Sequence, residues 1–170
     1  MQHEIAVLAG GCFWGMEELI RNLHGVIDTE VGYTGGAAAN PTYENHAGHA
    51  EAIQVYYDAK LLSYEDLLKF FFQIHNPTTK NRQGNDVGDS YRSEIFYVNE
   101  RQKQVAQQLI EQMQQSNKWS DAGSVTGGAK IVTELSALNV FYPAEDYHQD
   151  YLERNPNGYF CHFIRENWVL

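Results

Sequence analysis

The chain carries, near its start, the run Glu4-Ile5-Ala6-Val7-Leu8-Ala9-Gly10-Gly11-Cys12-Phe13-Trp14-Gly15, which predicts a strand leading directly into a helix. The apolar half is typical of a core strand, and apolar side chains then recur at helical spacing as far as Leu23. Cys12 therefore lies where free backbone N–H groups and the helix dipole stabilise an anion. We expect a lowered pKa for its thiol, and a nucleophile beside the rings of Phe13 and Trp14. A buried structural cysteine remains the alternative.

The composition is that of a globular protein. The chain has 170 residues, 43% hydrophobic and 20% charged, which predicts a single domain over residues 1–170 with a tail from about residue 156. A net charge of −10 argues against nucleic-acid binding. The sequence contains no run as long as a membrane span, and Met1-Gln2-His3-Glu4 lacks the basic residues of a signal peptide. We expect a cytoplasmic monomer that does not bind membranes.

The two cysteines, Cys12 and Cys161, stand near opposite ends of the chain. A single pair does not make the disulfide framework of a secreted scaffold, but it could be a redox pair. His46 and His49 have a metal-like spacing without further Cys or His ligands nearby in the sequence, so we expect no metal. We also expect no cofactor, because the sequence lacks the glycine-rich dinucleotide and phosphate fingerprints.

A strand predicted at residues 49–57 places a carboxyl group on an apolar face. Glu51 alternates in register with Ile53, Val55 and Tyr57. If that face is the core face, burial raises the pKa of Glu51 and keeps it protonated, as a general acid requires. The alternative is an exposed glutamate at a strand end.

The remaining patterns predict strands at 26–33, 93–98 and 130–135, and helices at 64–75, 100–115 and 144–154. Two polar loops, at 33–43 and 78–92, interrupt them, and the second is long enough to suggest a functional role. This order favours an α+β, two-layer sandwich with a ferredoxin-like central sheet, helices packed on it and an irregular C-terminal tail.

Five motifs in this order resemble the A-type peptide methionine sulfoxide reductases, and the resemblance runs from about residue 5 to 161. They are Gly11-Cys12-Phe13-Trp14-Gly15; Gly32-Tyr33-Thr34-Gly35-Gly36 with Asn40-Pro41-Thr42-Tyr43; Gly48-His49-Ala50-Glu51-Ala52; Arg82-Gln83-Gly84-Asn85-Asp86-Val87-Gly88 with Tyr91-Arg92-Ser93; and Ala144-Glu145-Asp146-Tyr147-His148-Gln149.

The resemblance implies a reductase of methionine-S-sulfoxide, free or in proteins, that repairs oxidised methionine. It implies that Cys12 is the nucleophile and that Phe13 and Trp14 hold the methyl group of the substrate. Such chemistry needs a thiolate, a proton donor for the sulfoxide oxygen and groups that hold that oxygen as charge develops.

By the same resemblance, Glu51 gives the proton, Tyr43 and Tyr91 hydrogen-bond the oxygen, and Asp86 positions substrate and water. Attack by the nucleophile leaves a sulfenic acid, which condenses readily with a second thiol.

Cys161 is the only other thiol, and it follows a helix stop in a segment that we expect to be mobile. We predict that it resolves the sulfenic acid as a Cys12–Cys161 disulfide, and the resemblance implies reduction of that disulfide by thioredoxin. The alternative is an inert tail cysteine, with Cys12 recycled directly by an external thiol.

Two other functions remain open on the residues alone. One is a cysteine hydrolase or acyl transferase in which His49 or His148, with an aspartate such as Asp146, activates Cys12. The other is a redox-sensing module without turnover, in which Cys12 and Cys161 form a switch.

Overall fold

A computed structural model describes residues 3–119 and 130–170. The first six major elements are β1 (His3–Gly10), α1 (Phe13–Arg21), β2 (Val26–Thr34), β3 (Ala50–Asp58), α2 (Tyr64–Ile74) and, after a small hairpin, β6 (Ser93–Tyr97). Strands β6, β1, β3 and β2 lie side by side in that order, and each is antiparallel to its neighbours in this set. This βαββαβ order is the ferredoxin-like arrangement, so the predicted fold class is confirmed.

Further elements extend this unit. The hairpin is β4 (Arg82–Gln83) with β5 (Asp86–Val87), and it lies inside the predicted polar loop. Helix α3 (Glu100–Ser116) leads towards β7 (Glu134–Ala137), which adds a parallel strand beside β6. On the opposite edge, β8 (Tyr142–Pro143) pairs with β2.

Three predicted boundaries were wrong. The strand expected at 130–135 instead begins at Glu134 and is β7, because its pairing with β6 starts at that residue. Helix α1 ends at Arg21, although apolar side chains keep the helical spacing as far as Leu23. The helix expected at 144–154 is a 3₁₀ turn (Asp146–His148) followed by the single-turn α4 (Tyr151–Arg154), since the left-handed backbone of Asp150 separates them.

The predicted starts of the helices at 64–75 and 100–115 are confirmed, and a side chain caps each of them. Ser63 Oγ accepts from the backbone N–H of Asp66 (3.0 Å) at the start of α2. Asn99 Oδ1 accepts from the N–H of Gln102 (2.8 Å) at the start of α3. Each cap satisfies one helix N–H that has no partner within the helix.

The alternation along β1 and β3 creates two apolar faces. The larger cluster joins strand residues such as Leu8 and Ile53 to Met16, Phe71 and Leu109 from α1, α2 and α3. The smaller cluster, on the opposite face, consists of Val7, Ala9, Ala50, Ala52 and Phe96, with Leu138 and Phe141 packed against it. Between residues 3 and 119 and from 130 onward, none of the helices is both long and apolar enough to span a membrane.

The antiparallel order brings four chain positions to one end of the sheet. Strands β1 and β2 end there, at Gly10 and Thr34, whereas β3 and β6 begin there, at Ala50 and Ser93. The loops that follow or precede these positions carry the candidate site residues.

Candidate active site

Cys12 is the N-cap residue of α1, directly after β1. Its side chain is buried, with 8% of the residue exposed. The backbone N–H groups of Trp14 and Gly15 lower the pKa of the thiol, as a helix start should. Burial and, next, the carboxylate charge of Glu51 raise it by more, so its pKa lies well above the usual range. The predicted lowering of this pKa was wrong, because the sequence did not reveal how completely the thiol is covered.

Glu51 lies at the start of β3 and is only 2% exposed, so the predicted apolar-face position is confirmed. Its Oε1 accepts a hydrogen bond from the backbone N–H of Phe13 (3.1 Å), the first residue of α1. Burial raises the pKa of Glu51 to about 8, although the Phe13 N–H opposes this shift. The carboxyl group is therefore mostly protonated at neutral pH while it lies beside the residue that follows Cys12.

Tyr43 comes from the first polar loop, whereas Asp86 and Tyr91 come from the second, and the three side chains converge on the same space. Burial, followed by the charge of Glu51, raises the pKa of both tyrosines, and Cys12 and Asp86 add to the effect. Tyr43 is 38% exposed, so part of its side chain faces solvent. The two phenols stay protonated across the physiological range and can donate hydrogen bonds.

Phe13 and Trp14 begin α1 and join an aromatic cluster with the 146–154 segment. The Trp14 Nε1–H donates to His148 Nδ1 (3.0 Å), and the Trp14 indole stacks on Tyr151 (centroids 3.9 Å apart, planes at 14°). The Phe13 ring packs against His148 (5.2 Å between centroids), which in turn lies 4.5 Å from the Tyr43 ring. These rings form an apolar wall beside Cys12.

Part-buried hydrogen bonds and an ion pair from α1 hold this wall in place. Glu17 Oε1 accepts from the backbone N–H of Asp150 (2.8 Å), and its Oε2 accepts from the Thr29 hydroxyl (2.9 Å). Arg21 binds Asp150 Oδ1 through Nη1 (2.7 Å). Helix α1 thus fixes the segment that carries His148.

Cys161 lies in the irregular tail and is half-buried. Its Sγ is 3.8 Å from Asp86 Oδ2 and 3.6 Å from His162 Nδ1, and Asp86 Oδ2 also accepts from the Tyr159 hydroxyl (3.2 Å). Both cysteines are free thiols, and Cys161 contributes to the raised pKa of Cys12. The structure brings together all eight residues singled out from the sequence: Cys12, Phe13, Trp14, Tyr43, Glu51, Asp86, Tyr91 and Cys161.

Comparison with known proteins places this site in a family. A family model described as peptide methionine sulfoxide reductase matches residues 4–168. The chain belongs to the peptide methionine sulfoxide reductase family, whose members are oxidoreductases.

Individual relatives cover nearly the whole chain. It is 58% identical to the "Peptide methionine sulfoxide reductase MsrA" of Mycolicibacterium gilvum over 99% of this chain and 95% of that one. Among solved structures, Mxr1 from Saccharomyces cerevisiae in reduced form is similar with a TM-score of 0.87 and 36% identity, over 97% of this chain and 93% of that one. Mxr1 in complex with Trx2 is similar with a TM-score of 0.65 and 28% identity, over 97% and 91%.

The two histidines considered for a hydrolase hydrogen-bond groups other than Cys12. His49 Nδ1 accepts from the Gly36 N–H (3.1 Å), and its Nε2 bonds the Ala38 carbonyl oxygen (2.7 Å). His148 receives the Trp14 indole N–H, as described above. Across the two described stretches, no group of three or more His, Cys, Asp or Glu side chains is arranged to hold a metal ion.

Sequence reasoning missed Tyr159 and His162, which flank Cys161 and contact it or its partner Asp86. Tyr151, which stacks on the predicted pocket residue Trp14, was not singled out as a site residue either. Gly15, in the first turn of α1, offered a signal, because a glycine inside a helix often marks a close approach by another group.

Proposed function

We propose that this chain reduces methionine-S-sulfoxide, free or in proteins, with Cys12 as nucleophile and Glu51 as proton donor. The position and protonation of Glu51 are the main support: a buried carboxyl group with a pKa of about 8 bonds the first residue of the helix that Cys12 caps. A hydrolase would need a base there, whereas a sulfoxide oxygen needs a proton to leave sulfur.

The first step transfers oxygen from substrate to enzyme. Cys12 Sγ attacks the sulfoxide sulfur, Glu51 protonates the oxygen, and the phenols of Tyr43 and Tyr91 hold that oxygen by hydrogen bonds. The thiol proton of Cys12 returns to Glu51, so the carboxyl group relays one proton. The hydroxyl group then moves from the substrate sulfur to Cys12 Sγ as the transient S–S bond between them breaks, so methionine leaves and Cys12 remains as a sulfenic acid. The wall formed by Phe13 and Trp14 receives the substrate methyl group.

The second and third steps restore the enzyme. Cys161 attacks Cys12 Sγ, a disulfide forms and water leaves. Thioredoxin then reduces the disulfide by exchange and is itself oxidised. The yeast relative solved in complex with Trx2 supports this reductant. We propose that the enzyme acts as a monomer in the cytoplasm, since two thiols that must be re-reduced suit a reducing compartment.

The test is turnover of a peptide that contains racemic methionine sulfoxide, with dithiothreitol and separately with a thioredoxin system. We expect wild type to consume one epimer with either reductant. Cys161→Ser is expected to retain dithiothreitol turnover and lose thioredoxin turnover, because only the resolving thiol is gone. In that variant, one equivalent of substrate should leave a sulfenic acid that dimedone traps on Cys12.

Absence of reduction of both epimers by folded wild type would refute the proposed activity. Full thioredoxin turnover by Cys161→Ser would instead refute only the resolving role of Cys161, because the external reductant would then recycle Cys12 directly.

A further inference from the structure

His162 follows Cys161 and is 3% exposed. Its Nε2 lies 2.8 Å from the carbonyl oxygen of Gly10, the last residue of β1. A carbonyl oxygen can only accept a hydrogen bond, so the ring proton of neutral His162 is on Nε2. Nδ1 therefore carries the lone pair, and this atom lies 3.6 Å from Cys161 Sγ, within reach of an S–H···N hydrogen bond.

The His162 ring occupies a notch that two glycines create around Cys12. A Cβ atom on Gly15 would overlap the ring at Nδ1, and one on Gly11 would come within 3.3 Å of Nε2. Gly11 and Gly15 flank Cys12 at the junction of β1 and α1. The notch thus docks the residue next to Cys161 against the loop that carries Cys12.

Four titratable or charged groups face His162: Cys161, Asp86, Arg165 and His75. Burial lowers the pKa of His162, and the Arg165 charge lowers it further, so the ring is neutral around neutral pH. Burial also raises the pKa of Cys161, which therefore holds its proton and needs an acceptor when it reacts. The Arg165 guanidinium lies close enough to Cys161 to interact with a thiolate there.

We propose that His162 accepts the proton of Cys161 as Cys161 attacks the Cys12 sulfenic acid. This inference rests on the proposed function, which supplies that sulfenic acid. The Sγ–Sγ bond forms as the S–O bond of the sulfenic acid breaks. The departing hydroxide takes up one proton, equivalent to the one transferred to Nδ1, and leaves as water. His162 ends neutral, and no other reactant is needed.

Asp86 is the competing acceptor, because its Oδ2 lies 3.8 Å from Cys161 Sγ. It is farther from the sulfur than Nδ1, and it already accepts a hydrogen bond from the Tyr159 hydroxyl. Asp86→Asn is therefore the matched control for a substitution at His162.

The experiment is a single turnover with one equivalent of methionyl sulfoxide peptide, in which released methionine and remaining thiols are followed separately. His162→Gln places an amide N–H where Nε2–H lies, so it can keep the Gly10 bond while removing the acceptor at Nδ1. We expect methionine release within about twofold of wild type and disulfide formation slowed about 100-fold, the low end of general-base effects. Asp86→Asn is expected to keep the wild-type pH profile of disulfide formation.

The pH profile separates proton transfer from packing. With His162 as acceptor, disulfide formation in wild type should be nearly independent of pH between about pH 7 and 8.5, where the ring is neutral and Cys161 is a thiol. Without that acceptor, the rate should rise about tenfold per pH unit as the thiolate fraction grows. His162→Gln should convert the first profile into the second.

Wild-type disulfide formation that already rises about tenfold per pH unit would overturn the inference, and this measurement needs no variant to fold. An unchanged rate and an unchanged pH profile of disulfide formation in folded His162→Gln would also overturn the inference. Loss of the pH-independent range in Asp86→Asn but not in His162→Gln would overturn it as well. Absence of methionine release from wild type would refute the proposed activity instead, so the two failures are distinguishable.

Discussion

The two cysteines of this chain are held in place by different means. Cys12 stands between β1 and α1, and backbone hydrogen bonds of the sheet and the helix determine its position. Cys161 stands on irregular backbone, and side chains position it: His162 in the glycine notch, Asp86 from the hairpin, and Trp168 packed into the main core. The tail was predicted to be irregular, and it is; its buried side chains from residue 156 onward are His162 and Trp168.

In the proposed mechanism, this difference means that the two chemical steps depend on separate parts of the fold. The first step uses groups at one end of the sheet, so substitutions there should change methionine release. The second step uses the docking of the tail. Substitutions in the glycine notch or at Trp168, which packs the tail into the main core, should therefore change disulfide formation alone.

The largest expected effect comes from Cys12→Ser. Serine lacks a sulfur that can form the sulfenic acid, so methionine release should fall by about 10⁴-fold or more with either reductant. Chromatography should measure methionine release by Cys12→Ser and by Cys161→Ser, and the second variant is expected to retain it. A comparable loss of methionine release in both variants with dithiothreitol would contradict the assignment of the two cysteines to separate steps.

Glu51→Gln tests the proton donor. Glutamine keeps an acceptor for the Phe13 N–H but has no acidic proton, so methionine release should slow by about 10² to 10⁴-fold. In wild type the protonated form is active, so the rate should fall as pH rises through about 8, the pKa of Glu51, and the variant should lose this dependence. Stopped assays from about pH 6 to 10 give both profiles.

Glu17→Gln is the control for Glu51→Gln, because Glu17 is a buried carboxyl group of α1 whose bonds go to Thr29 and Asp150. It should lower stability and leave the pH profile of methionine release unchanged. A shift of that profile by Glu17→Gln would mean that the wrong carboxyl group had been assigned.

Gly15→Ala tests the notch. The added methyl group would displace the His162 ring, so disulfide formation should slow about tenfold, while methionine release stays within a few-fold of wild type. Alanine favours a helix over glycine by about 0.5–1 kcal/mol, so loss of helix stability would not explain the effect. Equal slowing of both steps would contradict separate control of the steps.

Trp168→Ala removes the buried side chain that packs the end of the tail into the main core. Trp168 is buried beside Trp119 in the main core, so the free energy of unfolding should fall by about 2–4 kcal/mol, as measured in urea. Disulfide formation should slow a few-fold because the tail docks less often. A larger effect on methionine release would place the tail in the first step.

The smallest expected effect concerns stability and pH. Burial lowers the pKa of His75 to about 3, while its ring bonds the Phe71 carbonyl and the Ser93 hydroxyl. The unfolded chain binds a proton below about pH 6.5 and the folded chain does not, so stability is fully present above that pH and is lost as pH falls towards 3. The slope should approach about 1.4 kcal/mol per pH unit from this group. Glu51, whose pKa is raised to about 8, contributes the opposite slope in this range, so urea unfolding of wild type and His75→Gln at about pH 7 and 5 is needed to isolate the His75 contribution. The same pH dependence of stability in both proteins would contradict the buried neutral histidine.

Local patterns in the sequence determined a large part of this protein. The apolar run of β1, the alternation of β3 and the caps Ser63 and Asn99 depend on neighbours a few residues away, so they could be predicted. The same alternation placed Glu51 on the apolar face. The family motifs then singled out further candidate site residues, which the structure brings to one end of the sheet.

Only the tertiary structure decided how these groups behave. Neighbours distant in sequence cover Cys12, and that burial raises a thiol pKa that the helix start alone would lower. The notch for His162 joins residues about 150 positions apart, so no local pattern could reveal it. The shift of β7 away from residues 130–133 likewise reflects its pairing with β6 rather than its own sequence. Periodicity and capping act locally, whereas burial and docking depend on which distant segments meet.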